Sequence, residues 1–90
     1  MFIRLYSVFD RVACVYADPF SSPNDATAAR AFNLASSSPD SMLYASPQDY
    51  QLWYLGSMDN STGDILTGDF PETEPHKVCD GKPREVTEHE

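Results

Sequence analysis

Tyr50-Gln51-Leu52-Trp53-Tyr54-Leu55-Gly56-Ser57-Met58 is the stretch on which the fold turns. Aromatic-rich runs suit a pleated, half-buried surface, and successive residues of a strand point to opposite faces. Tyr50, Leu52 and Tyr54 therefore share one face with Gly56, while Trp53 and Leu55 take the other. Downstream, Asp59-Asn60-Ser61-Thr62-Gly63 reads as a hairpin loop with Gly63 suited to a positive φ. Ile65-Leu66-Thr67 then returns as a short last strand.

The N-terminal run Phe2-Ile3-Arg4-Leu5-Tyr6-Ser7-Val8-Phe9 gives a second strong strand pattern. Ile3, Leu5, Ser7 and Phe9 fall on one face, and Phe2, Arg4, Tyr6 and Val8 on the other. Asp10-Arg11 reads as a tight turn into a strand over Val12 to Tyr16, completing a hairpin. Asp18 to Pro23 reads as a loop that ends in a helix start: Ser22 as N-cap, Pro23 at the first helical position and Asp25 in the first turn. Ala28, Ala31, Phe32 and Ala35 follow helical spacing, so the spacing predicts a helix to about Ser36 with Phe32 as its anchor. Met42-Leu43-Tyr44 is a short apolar patch, and Pro47-Gln48-Asp49 a turn. The expected order is β-β-α-β-β: an α+β fold with a small antiparallel sheet and one helix packed on one face. Apolar residues thin out from Pro71, which predicts a compact domain over 1–70 and a disordered acidic tail over 71–90.

Charge and residue inventory narrow the function. Net charge is −8 over 90 residues. Residues 1–70 hold eight Asp and three Arg, and the tail adds a further −3. Such a chain is repelled by nucleic-acid backbones and anionic membranes, and Arg4, Arg11 and Arg30 are the domain's whole supply of cations. Two isolated cysteines, Cys14 and Cys79, fit a reducing compartment rather than a disulfide framework. Arg4, Asp10 and Arg11 interrupt any signal-peptide pattern, and no apolar run reaches membrane-spanning length, so no membrane partner is expected. His76 and His89 both fall in the expected tail, where a general base has no fixed geometry. His76-x-x-Cys79 has metal-ligand spacing but lacks a four-ligand set. The chain is thus expected to be no enzyme, with no cofactor and no metal. Tyr50, Trp53 and Tyr54 admit two readings. Exposed rings on a sheet stack unpaired bases, with Arg4 or Arg30 near a phosphate; large aromatics also dominate small cores, which is the favoured reading on residue physics.

Several segments together resemble a known family. Tyr16-Ala17-Asp18-Pro19-Phe20, Ala28-Ala29-Arg30-Ala31-Phe32, Ser46-Pro47-Gln48-Asp49-Tyr50-Gln51-Leu52-Trp53-Tyr54-Leu55-Gly56 and Asp59-Asn60-Ser61-Thr62-Gly63 follow, in order and spacing, the small nonstructural proteins of gokushovirus-type microviruses, which are single-stranded DNA bacteriophages. Gln48 departs from the acid usual there. The resemblance implies a nonstructural protein of the infected bacterial cytoplasm, outside the virion, that supports viral single-stranded DNA synthesis or packaging. Single-stranded viral DNA is one implied partner, with Arg4, Arg30, Tyr50, Trp53 and Tyr54 as the candidate contacts. The alternative is an acidic adaptor that binds a viral replication or capsid factor or a host protein without touching DNA. Exposed strand edges also offer a route to dimerisation.

Overall fold

The computed structural model describes residues 1–83. It is an α+β fold: one antiparallel sheet with a single helix on one face. In chain order the elements are β1 (Phe2–Asp10), β2 (Val15–Tyr16), β3 (Phe20–Ser22), α1 (Asp25–Ser36), β4 (Tyr50–Asp59), β5 (Ile65–Leu66) and β6 (His76–Asp80). The two long strands, β1 and β4, pair along their whole length at the centre. Four short strands flank them, β2 and β3 beside β1, β5 and β6 beside β4. The expected β-β-α-β-β order survives with two additions, β3 and β6.

The helix face of the sheet carries the core. Tyr6, Leu52 and Tyr54 are fully buried beneath Ala28 and Phe32 of α1, with Leu43 closing one side. Val8, Phe20, Tyr50, Val78 and Cys79 pack around them. The facing expected of Tyr50, Leu52 and Tyr54 is therefore the facing found, whereas Gly56, expected with them, pairs with Leu5 and falls on the other face. Leu43 enters the core from a turn that joins α1 to the 3₁₀ turn Pro47–Asp49.

Three expectations are corrected. The second strand does not begin at Val12. Asp10 Oδ1 accepts from the amides of Val12 and Ala13, and Cys14 takes a positive φ of 60°, so residues 11–14 form the turn. The helix is capped by Asn24, whose side chain accepts from the Thr27 amide at 2.8 Å, rather than by Ser22. Ser22 is instead the end of β3, because Phe20–Ser22 pairs with Arg4–Tyr6. The domain also does not end near residue 70. Thr73 is buried and makes two hydrogen bonds with the Phe70 backbone, and β6 then pairs with Gln51–Tyr54. Short polar residues hid this strand: His76, Lys77 and Asp80 face outward or into a polar cluster, leaving only Val78 and Cys79 as apolar signal. The part of the expected tail from Arg84 onward, with His89, lies outside the described residues.

Two irregularities shape the sheet. Leu5 pairs with Gly56 and Tyr6 with Tyr54, leaving Leu55 as a bulge residue. Gly56 follows with φ 151°, and a Cβ there would stand 2.5 Å from the Leu66 carbonyl oxygen. The second bulge is Val78, skipped between the Leu52–Cys79 and Trp53–Lys77 pairs. Beyond β6, Gly81 is buried with its amide donating to the Tyr50 carbonyl at 2.8 Å. A Cβ on Gly81 would lie on top of the Pro47 carbonyl oxygen. Gly81→Ala is therefore expected to destabilise the protein by roughly 1–3 kcal/mol through backbone displacement, read from urea unfolding. Unchanged stability would mean that β6 does not dock as described.

Candidate functional site

Two features stand out, one on each face of the sheet. The first is a polar cluster where α1 meets the sheet. Asp25 is the first residue of α1, where negative charge is favoured by the helix dipole. Its Oδ1 accepts from Arg4 Nη2 at 2.8 Å and from the Tyr6 hydroxyl at 2.6 Å. Arg4 Nε also donates to the Tyr6 oxygen at 2.7 Å. The guanidinium lies 4.1 Å from the Tyr54 ring centroid, a cation–π contact. His76, from β6, reaches the same carboxylate: its Nε2 is 3.0 Å from Oδ2, and its Nδ1 is 3.1 Å from the Glu74 carbonyl. Both of those partners are acceptors, so only the doubly protonated ring donates to both. Tyr54 shares its hydroxyl with Ser57 at 2.8 Å.

This cluster fixes charge rather than freeing it. Burial alone raises the Asp25 carboxyl, but hydrogen bonds from Tyr6, His76 and Arg4 outweigh it and hold the group at about 2. Burial, with the Asp25 charge, pushes the Tyr6 hydroxyl up to about 12, so it stays a donor. Burial lowers the Arg4 guanidinium, yet its bonds to Tyr6 and Asp25 leave it raised. Asp25 thus ties α1 to β1 and β6 and neutralises Arg4.

The second feature is the sheet face that α1 leaves open. Strand alternation, shifted by one residue at the Leu55 bulge, puts Ile3, Leu5 and Phe9 of β1 there with Trp53 and Met58 of β4, and these five side chains are half-buried. Tyr16, paired with Phe9, and Ile65, paired with Met58, extend it and are exposed. At one end three rings gather: Phe9 to Tyr16 at 4.6 Å between centroids, and Tyr16 edge-on to Trp53 at 6.4 Å. Beneath them Ser7 is buried, its hydroxyl donating to the Ala17 carbonyl at 2.6 Å. A polar chain borders the rings. Trp53 Nε1 donates to Gln51, Gln51 donates to Asp80, and Lys77 Nζ pairs with Asp80 at 3.1 Å. Lys77 holds the Asp80 carboxyl below its ordinary range.

The five candidate DNA contacts do not form one surface. Tyr54 is fully buried and Tyr50 packs against the core, so neither offers a ring face to a base. Arg4 is paired to Asp25. Arg30 is exposed on α1, with the sheet between it and Trp53. Trp53 alone lies on the open face. The aromatic strand thus supplies both core and open surface, one face each. Phe9, Tyr16 and Lys77, which were not among the candidate contacts, are the residues that join Trp53; the period-two pattern of β1 was the available signal for Phe9. His76, placed in the tail by composition, instead lies in β6 beside Asp25.

The chain matches the family model described as Phage ORF5 protein over residues 3–82. It belongs to that family. No curated protein and no solved structure matches it.

The Asp25 cluster has a pH signature. A carboxyl depressed to about 2 in the fold contributes stability above its ordinary value of 3.8, and that contribution is lost as pH falls through about 2. Asp25 is 40% exposed, so the contribution is about 0.5–1 kcal/mol after solvent screening. Asp25→Asn is expected to lower stability by that amount at neutral pH and to flatten the loss between pH 4 and 2, measured by thermal unfolding across pH. A parallel profile for the two proteins would remove the charge from Asp25's role.

Proposed function

We propose that this member of the phage ORF5 family is a non-enzymatic accessory protein that supports viral single-stranded DNA synthesis or packaging in the bacterial cytoplasm, outside the virion. It acts as an adaptor, binding a replication or capsid factor or a host protein through the open sheet face. The observation that carries the binding mode is that this face is apolar and locally charge-balanced. Ile3, Leu5, Phe9, Trp53 and Met58 line it, and its Lys77 and Asp80 are paired with each other. Apolar surface of this kind, bordered by polar groups, fits protein contact. An anionic strand would gain no net cation from it, and the whole chain at −8 repels such a strand. The non-enzymatic reading is supported by the occupied state of the one acid–histidine pair among the described residues: both oxygens of Asp25 already accept hydrogen bonds, and His76 is spent on Asp25 and Glu74.

A second reading rests on the ring cluster. Phe9, Tyr16 and Trp53 beside Lys77 have the composition of a base-stacking platform, and direct contact with single-stranded DNA would use them in place of Tyr50, Tyr54 and Arg4.

Deleting the reading frame in an infectious phage clone is expected to leave double-stranded replicative DNA intact while single-stranded genomes fail to accumulate; normal genome yield would refute the role. Trp53, the chain's single tryptophan, separates the two readings. Its emission is expected to stay unchanged with oligothymidylate at low salt up to about 100 µM, the weak end of non-specific affinity. Saturable quenching that vanishes on adding salt would move the assignment to the second reading.

A further inference from the structure

The open sheet face calls for a second layer, and its character says which. We infer that it receives a cationic amphipathic helix from a partner protein; the inference rests on the adaptor reading and names the partner's chemistry.

The edges of the sheet do not suit strand addition. β2, β3 and β5 are two or three residues long, and β6 carries the Val78 bulge. Short and bulged edges block pairing with another strand. Contact is therefore made on the face. Elements that cover a sheet face are helices or a second sheet. A second copy of this chain would bring −8 against −8. A helix is already the solution on the opposite face, where Ala28 and Phe32 of α1 sit on Tyr6, Leu52 and Tyr54.

The dimensions fit. Ile3 to Phe9 on β1, beside Trp53 to Met58 on β4, form two adjacent apolar rows. At about 3.4 Å per residue they extend roughly 20 Å. A helix of about fourteen residues has that length at 1.5 Å per residue. Its apolar stripe would lie along the rows, with Tyr16 and Trp53 rising at one end and Ile65 at the other. Charge sets the sign of its polar flanks. Asp18 follows the Tyr16–Ala17 corner, Asp64 precedes Ile65 and Asp80 sits on β6. Nearby cations are Lys77, already paired with Asp80, the Met1 ammonium, held against Asp59, and Arg11. A helix with lysines or arginines on its flanks meets this margin and the chain's overall −8 with opposite charge.

The test uses the full-length chain and synthetic peptides of about fourteen residues. One peptide places Leu on one face and Lys on the other; one has the same composition in shuffled order; one replaces Lys by Glu. Trp53 emission and peptide anisotropy report binding. The ordered Leu/Lys peptide is expected to bind at least about tenfold tighter than either control, a difference of 1.4 kcal/mol. Ile65→Lys, at an exposed position, and Met58→Lys are expected to weaken it about tenfold or more, whereas Leu34→Lys, an equal charge change on the outer side of α1, weakens it less than about threefold. Two variants guard against a folding defect, checked by circular dichroism. Equal binding of ordered and shuffled peptides, or equal losses in all three variants, would overturn the inference. So would a dimer by sedimentation that Ile65→Lys dissociates, or displacement of the peptide by oligothymidylate. If the peptide does not bind but phage carrying Ile65→Lys still fail to make single-stranded genomes, the adaptor reading stands and the helix inference falls. If those phage are normal, both fall.

Discussion

One carboxylate organises the contacts between the three parts of this fold. Asp25 begins α1, and it holds Arg4 and Tyr6 of β1 and His76 of β6 at hydrogen-bond distance. Without it, three polar groups at the rim of a small core would need other partners, and buried polar groups without partners are costly. The arrangement also explains why Tyr6 and Tyr54 can be fully buried in so small a protein. Each hydroxyl has a partner, Asp25 for one and Ser57 for the other, and no buried side-chain polar atom among the described residues lacks one. The core therefore gains two aromatic rings without leaving their polar ends unsatisfied.

The same contact decides what the surface can do. Arg4 is the arginine of the central strand, and its pairing with Asp25 removes it as a phosphate ligand. With Arg4 spent on the helix face, the open face is left with paired Lys77 and Asp80 and a row of apolar groups. Each bulge contributes separately. The Leu55 bulge and Gly56 let the Leu66 backbone approach β4 closely, and the Val78 bulge turns two consecutive β6 residues, Val78 and Cys79, toward the core. The β6 bulge also interrupts the regular edge and makes it a poor template for another strand.

Much of this was legible in the residues. The two long strands, their facing as far as Tyr54, the helix with Phe32 as anchor and the α+β class follow from period-two and helical spacing, because those elements bury large side chains on one side; the Leu55 bulge, which reverses the facing of Gly56, left no mark in the pattern. The short elements were not legible. β3 is Phe-Ser-Ser and β6 is His-Lys-Val-Cys-Asp, sequences whose own preference for a strand is weak; pairing with β1 and β4 decides their conformation. Asn24 displaced Ser22 as cap for the same reason, since Ser22 is held in β3. The candidate DNA contacts are not brought onto one surface, because composition cannot say which face of a strand is covered. Trp53 and Tyr54 are neighbours in sequence and lie on opposite sides of the sheet.

That separation of faces also makes the acidic charge compatible with the proposed role near a single-stranded genome. A protein can serve DNA synthesis or packaging without holding DNA if its contacts are with the proteins that do. Proteins that hold nucleic acid are cationic where they hold it. A small acidic partner with an apolar face is complementary to such proteins in charge; in the proposed complex its −8 would accelerate the encounter and the apolar face would set the lifetime. On this view the acidity is the recognition signal. The uncovered face of the sheet supplies the contact.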